Sequence, residues 1–396
     1  MSSVKYEHFD TVITRQRSGS TKWDDAASLF GSEDVIPLWV ADMDFAAPPE
    51  VTAALAERVR HGVFGYPSPR SYAWDAVADW LAKRHHWQTS PDWMLSTPGV
   101  VAAIAVAVQT FTAPGDKVII QPPVYPPFFS CVKNHNRVVL ENPLLCEEGE
   151  YRIDFADLAA KAPAAKMLIL CSPHNPVGRV WSRVELTKLV EICRENNVIL
   201  LADEIHGDLV YPGHRHIPLA SLSSGLEDRI ITLTAPSKTF NTAGLYTSIA
   251  IIQNSKLRSQ FAKTVQHLSI HKNNIFGITA LEAAYRHGGP WLDELLVYLD
   301  GNAAYLTKYI AANIPKIKVT KPQGTYLAWL DCRDLALSQP ELTKFFAEKA
   351  KVGLNDGATF GHQGTGFMRL NFGCPRSLLA EALARIAQAV NKLPTP

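Results

Sequence analysis

Five short apolar runs punctuate the middle of the chain: "DKVIIQPP", "AKMLILCS", "NVILLADE", "RIITLTAP" and "TSIAII". Their apolar positions are continuous instead of alternating, which predicts strands covered on both faces. Helical patterns lie between them. In "WSRVELTKLVEICREN", Ser182 is placed to cap the helix and Glu185, three residues on, to complete a capping box. "GVVAAIAVAVQTF" is too short to cross a bilayer and reads as a core helix. Strand–helix–strand alternation predicts an α/β fold with a mostly parallel sheet covered by helices. In such sheets ligands gather at the carboxyl ends of the strands.

After about Gly289 the pattern changes. A long helical stretch, "PWLDELLVYLDGNAAYLTKYIAANI", precedes strands "KIKVT", "TYLAWLD" and "GFMRLNF" and a last helix, "LLAEALARIAQAVNK". This predicts a smaller α+β domain. The opening residues match neither pattern. The expected division is therefore 1–45 as an N-terminal segment packing with the small domain, 46–289 as the large domain and 290–396 as the small one. A chain of 396 residues has room for one large and one smaller domain.

Composition narrows the function. Hydrophobic residues at 47% and charged residues at 19% fit a soluble globular core. A net charge of +1 favours neither nucleic acid nor an acidic membrane surface, so small-molecule chemistry is expected. The six cysteines form no C-x-x-C pair, and several sit in apolar runs such as "LILCS". They read as reduced thiols in a cytoplasmic protein. "MSSVKYEHFDTVITR" holds no apolar signal core.

Four positions at the ends of apolar segments carry the candidate chemistry. Asn175 follows a strand in "ILCSPHNPVG", Asp203 ends one in "VILLADEIHGDL", and Lys238 follows one in "TLTAPSKTF". Gly99 opens the apolar helix in "LSTPGVVAAIAVAV". If these strands are neighbours, all four meet in one crevice. The set suits a pyridine aldehyde phosphate. A partly desolvated lysine amine can form an imine with its aldehyde. An acid facing the ring nitrogen keeps the ring an electron sink. An asparagine amide can bond the ring oxygen, and the amides of Gly99, Val100 and Val101 can hold the phosphate at a helix N-terminus. Ser237 adds a hydroxyl. Taken singly, an aspartate at a strand end is a turn former and a lysine a surface charge. Their order and spacing make the case.

"SPHNPVG", "LADEIH" and "SKTFNTAGL" resemble the signatures of fold-type I pyridoxal-phosphate enzymes of the aspartate-aminotransferase superfamily. "IPLWVADMDF", "GVFGYP", "PPVYPPF", "LNDGATFG" and "GFMRLNFGCPR" are similar to its cystathionine β-lyase (carbon–sulfur lyase) branch. The resemblance implies a large domain with a seven-stranded-type sheet. It implies that Lys238 carries the cofactor, Asp203 faces the ring nitrogen, Asn175 the ring oxygen, and Tyr125 stacks on the ring. His206 lies among the cofactor contacts, and Gly99, Val100, Val101 and Ser237 hold the phosphate. Tyr66 would reach the site of a neighbouring subunit, which implies a homodimer with shared sites. Arg369 shares a strand face with Phe367 and Asn371; it is an edge-strand charge in solvent or a bidentate clamp on a substrate carboxylate. Family position favours the clamp.

Aminotransferases of the superfamily commonly carry an arginine eight residues after the lysine and a tyrosine three after the aspartate. Here these are Tyr246 and His206, as in the lyase branch. Ser172 replaces a frequent asparagine. The expected function is β-elimination on sulfur amino acids. An aminotransferase and a cofactor-binding regulatory protein are the alternatives. Trp39, Asp44 and Phe360 are further pocket candidates that pattern alone leaves open. "GHQGTGF" precedes a strand and so fails as a dinucleotide loop; His206, His214 and His216 could suggest a metal, but "GHRH", bounded by Gly213 and Pro218, reads as a loop, so no metal is expected.

Overall fold

A computed structural model describes residues 7–68, 73–222 and 227–393. All five apolar runs form strands of one seven-stranded sheet. In chain order these strands are β1 (Met94–Thr97), β2 (Lys117–Ile120), β3 (Val138–Glu141), β4 (Ala165–Cys171), β5 (Ile199–Asp203), β6 (Ile230–Thr234) and β7 (Ser248–Ile251). Their spatial order is β1-β7-β6-β5-β4-β2-β3. The continuous apolar character follows from burial on both faces. Met167, Ile169 and Cys171 of β4 pack in one core cluster, while Leu168 and Leu170 pack in another on the opposite side.

Helix α1 (Ala73–His85) precedes the sheet in sequence, α2 (Val100–Phe111) follows β1, and α3 (Arg183–Glu195) lies between β4 and β5. α3 carries the expected box: Glu185 N–H donates to Ser182 Oγ at 3.3 Å, and Ser182 N–H donates to Glu185 Oε2 at 2.8 Å. The sheet is mixed. The β2–β3, β2–β4, β4–β5 and β5–β6 pairings are parallel. β7 is antiparallel to both of its neighbours.

The late strands build a second, four-stranded antiparallel sheet. They are β8 (Lys318–Thr320), β9 (Leu327–Asp331), β10 (Asn355–Asp356) and β11 (Phe367–Asn371), ordered β8-β9-β11-β10. A 25-residue helix, Gly289–Asn313, and the helix Arg376–Val390 accompany it. Ile36–Pro37 pairs in parallel with Val352–Gly353, so the N-terminal segment is stitched to this late part of the chain.

Candidate active site

The parallel strands β4, β5 and β6 stand side by side, so their carboxyl ends share one sheet edge. Asn175 lies four residues past β4, and Asp203 is the last residue of β5. Lys238 sits in α4, the single turn Pro236–Thr239 that follows β6. Because β7 runs antiparallel to both β6 and β1, β1 points the same way as β6 and delivers Gly99 to the same edge. Gly99 caps α2 with no side-chain hydrogen bond, and a Cβ added there would meet nothing within 4 Å. The amides of Val100 and Val101 lie in the first turn, where they have no acceptor inside the helix.

Lys238 is half-buried, and its Nζ donates to the Ala41 carbonyl at 2.6 Å. Burial draws the amine down to about 8; Arg369 reinforces this, while Asp42 and Asp203 oppose it. Asp203 is 4% exposed and accepts the Ile205 amide at 3.2 Å. Burial pushes its carboxyl up to about 7, with only partial relief from that amide and from Lys238. Tyr125 is half-buried in the loop before the helix Pro127–Lys133, and burial, then Asp203, raise its hydroxyl. His206 is buried with its ring 5.9 Å from that of Tyr326. Burial, Lys238 and Arg369 hold it down to about 3, so it is a neutral imidazole near pH 7. Ser237 is half-buried beside the lysine.

Arg369 is not an edge-strand charge. β11 is flanked by β9 and β10, and Arg369 is 4% exposed. Its Nη1 donates to Asn175 Oδ1 at 3.1 Å, and its Nη2 donates to Asn355 Oδ1 at 2.5 Å and the Trp39 carbonyl at 2.8 Å. The guanidinium lies 5.0 Å from the centre of the Phe360 ring. Burial lowers it to about 10, which leaves it charged near pH 7. Tyr66 is the candidate on the outside: it is 86% exposed, with the Lys272 ammonium 4.4 Å from its ring centre. Tyr246, in the place of the frequent arginine, is 70% exposed with φ +46° and offers the site no cation.

Sequence reasoning missed a strap. It spans residues 39–43, and the carbonyls of residues 39–42 accept hydrogen bonds from Arg369, Lys238, Tyr326 and Asn371. The Ala41 carbonyl accepts from Lys238 and from Tyr326 Oη, and Asn371 Nδ2 donates to the carbonyls of Val40 and Asp42, each at 2.6 Å. Carbonyls occur at every residue, so only the "IPLWVADMDF" resemblance could have pointed here. Of the open candidates, Trp39 contributes its carbonyl and Phe360 the face beneath Arg369. Asp44 is buried in an ion cluster that pins the strap: it takes Lys22 Nζ at 2.6 Å, Arg15 Nη1 at 2.7 Å and Trp23 Nε1 at 2.8 Å.

The residues fit pyridoxal 5'-phosphate. An amine of depressed pKa, an amide-bearing side chain and free helix amides stand on one sheet edge. Asp203 is a buried carboxylate whose charge its protein neighbours do not fully compensate, as a partner for a protonated ring nitrogen must be.

The chain belongs to the aminotransferase class I and II family, whose model matches residues 33–386. Within that family it is 47% identical over 386 residues to cystathionine beta-lyase PatB of Bacillus subtilis, covering 97% of this chain and all of that one. Among solved structures, cystalysin from Treponema denticola, which contains pyridoxal 5'-phosphate, superposes with a TM-score of 0.95 at 40% identity, covering 98% of this chain and 99% of that one. A PLP-bound putative aminotransferase from Clostridium difficile matches at 0.95 and 42%, covering 97% and 99%.

Proposed function

We propose that this chain is a pyridoxal 5'-phosphate-dependent carbon–sulfur β-lyase acting on sulfur amino acids such as cystathionine or cysteine conjugates. The observation that carries the reading is the meeting of Lys238, Asp203 and Asn175 at one edge of the large sheet with Arg369, which reaches Asn175 from the second sheet, in a chain similar to PatB and cystalysin. Lys238 would hold the cofactor, with Asp203 on the ring nitrogen, Asn175 on the ring oxygen, Tyr125 against the ring and His206 among the remaining contacts. The amides of Gly99, Val100 and Val101 and the Ser237 hydroxyl would take the phosphate. When bound, the cofactor supplies an aldehyde that condenses with amines and a ring that accepts the electron pair left by an α-proton.

The protein's own work is positioning and proton transfer. Arg369 offers a planar fork to the substrate carboxylate, its plane fixed by Asn175, Asn355 and Phe360. That grip turns the α-hydrogen toward Lys238 Nζ. With its pKa near 8, Nζ is in part an unprotonated base close to pH 7–8, and the Ala41 carbonyl orients it. It takes the α-proton, the thiolate leaves the β-carbon and is protonated to the thiol, and the three-carbon fragment left behind is hydrolysed by one water, which supplies the carbonyl oxygen of pyruvate and releases the substrate nitrogen as ammonia. Tyr66 serves the site of a second copy in a homodimer. The run of exposed Val63, Phe64 and Tyr66 supports such a pairing, because large apolar side chains rarely cluster in water. The pairing of Ile36–Pro37 with Val352–Gly353 supports a division into 1–45 with 290–396 on one side and 46–289 on the other. A cytoplasmic location completes this reading; among the described residues no helix is long and apolar enough to cross a membrane.

The family description favours a second reading, an aminotransferase. One incubation separates the two. Stoichiometric pyruvate and ammonia from cystathionine without any keto acid supports the lyase. Strict dependence on a keto-acid acceptor overturns it.

A further inference from the structure

We propose that Asp208 is a positioning residue for Lys238, acting through the Thr239 hydroxyl and itself held by Trp80 and His85. The inference rests on the role given to Lys238 above. Asp208 Oδ2 accepts from Thr239 Oγ1 at 2.8 Å. Its Oδ1 accepts from Trp80 Nε1 at 2.9 Å and lies 2.7 Å from His85 Nε2. All of these groups are buried or nearly so. Burial opposes the charge, yet the bonds from His85, Thr239 and Trp80 hold the carboxyl below its usual range.

The reason such an anchor is needed lies in α4. It is a single turn with no side-chain cap, so few bonds of its own fix where Lys238 points. Its aim is set from outside, on two sides. Asn241 ties the turn to the strap, donating to the carbonyls of Met43 and Phe45 and accepting the Met43 amide. Thr239 ties it to Asp208. Phe240, between them in sequence, packs on Trp80 at 5.5 Å and Tyr285 at 5.9 Å.

Asp208 also belongs to the same short segment as Asp203. The segment is braced along its length. Gly207 N–H donates to the Glu204 carbonyl at 2.8 Å, and Leu209 N–H to that of His206 at 2.9 Å. The Glu204 carboxylate takes the Leu219 amide at 2.7 Å and lies 3.1 Å from His216 Nε2. A Cβ on Gly207 would fall 2.9 Å from His216 Cδ2, so the segment packs directly on that ring. One braced stretch therefore carries both the acid assigned to the ring nitrogen and the anchor of the lysine turn. It sets the spacing between Asp203 and Lys238. Displacing a reacting group by 1 Å can cost about 10²-fold in rate.

Thr239→Val removes the hydroxyl with little change in volume, Thr239→Ser restores it, and Asp208→Asn removes the charge. On the holoenzyme, kcat and KM for pyruvate release are measured together with the pH titration of the cofactor's visible absorbance. Thr239→Val and Asp208→Asn are expected to lower kcat at least about tenfold with KM little changed, and to move the titration midpoint. Thr239→Ser is expected to track the wild type in both. Thr239→Val with wild-type kcat and titration overturns the proposal, as does a Thr239→Ser variant that loses as much as Thr239→Val. If the wild type releases no pyruvate from any sulfur amino acid, the lyase reading fails, while the absorbance titration still decides whether Thr239 positions Lys238.

Discussion

Replacing Arg369 by lysine keeps the charge and removes the fork. In the native site the guanidinium plane is fixed by three hydrogen bonds, to Asn175, Asn355 and Trp39, and by the Phe360 ring beneath it. A lysine ammonium is a point charge that cannot meet two carboxylate oxygens in that plane. One of the two charge-assisted bonds to the substrate is then lost, at about 1.5–3 kcal/mol. With tenfold for each 1.4 kcal/mol, binding should weaken roughly 10- to 100-fold. The assay is the absorbance change of the bound cofactor when titrated with a 2-methyl amino acid, which has no α-proton to lose. The matching amine without a carboxylate is the control. Arg369→Lys should raise the Kd of the amino acid and leave that of the amine nearly unchanged. Equal losses for both ligands, or no loss for either, would refute the clamp.

Three further outcomes are expected. Asp203→Asn removes the acid proposed for the ring nitrogen and should lower kcat by on the order of 10²–10³, while Arg369-dependent binding persists; a kcat within twofold of wild type contradicts the assignment. In cofactor-free protein the neutral Lys238 amine is the reactive form, and its depressed pKa places half of it in that form at about 8 in place of 10.5. Its imine formation with a simple aromatic aldehyde should therefore rise with pH through a midpoint near 8, and a midpoint near 10.5 would count against the buried site. Asp44→Ala strands the fully buried Lys22 with Asp42 Oδ1 at 3.7 Å as its nearest carboxylate, and denaturant unfolding should register a loss of about 3–5 kcal/mol. A loss below about 1 kcal/mol would mean that the cluster does not pin the strap.

The strands and the capped helix α3 were legible because their signals are local. Continuous apolar runs mark two-sided burial, and Ser182 with Glu185 caps the helix using residues three apart. The lysine, aspartate and asparagine were legible for a related reason: each ends or follows a strand, and parallel strands bring such ends together. The direction of β7 was not, since "TSIAII" buries the same residues whichever way it runs. Nor was the place of Arg369. One strand pattern serves an edge or an interior position, and only pairing with both β9 and β10 selects the interior.

The supporting groups were hidden for a different cause. The Ala41 and Trp39 carbonyls lie 197 and 330 residues from the side chains they receive, and a backbone oxygen has no signature in sequence. The Trp80–Asp208–Thr239 anchor likewise joins residues 128 and 31 positions apart. Residue type and spacing thus determined which chemistry this chain can hold. Tertiary packing decided where each group points, because aim depends on partners distant along the chain.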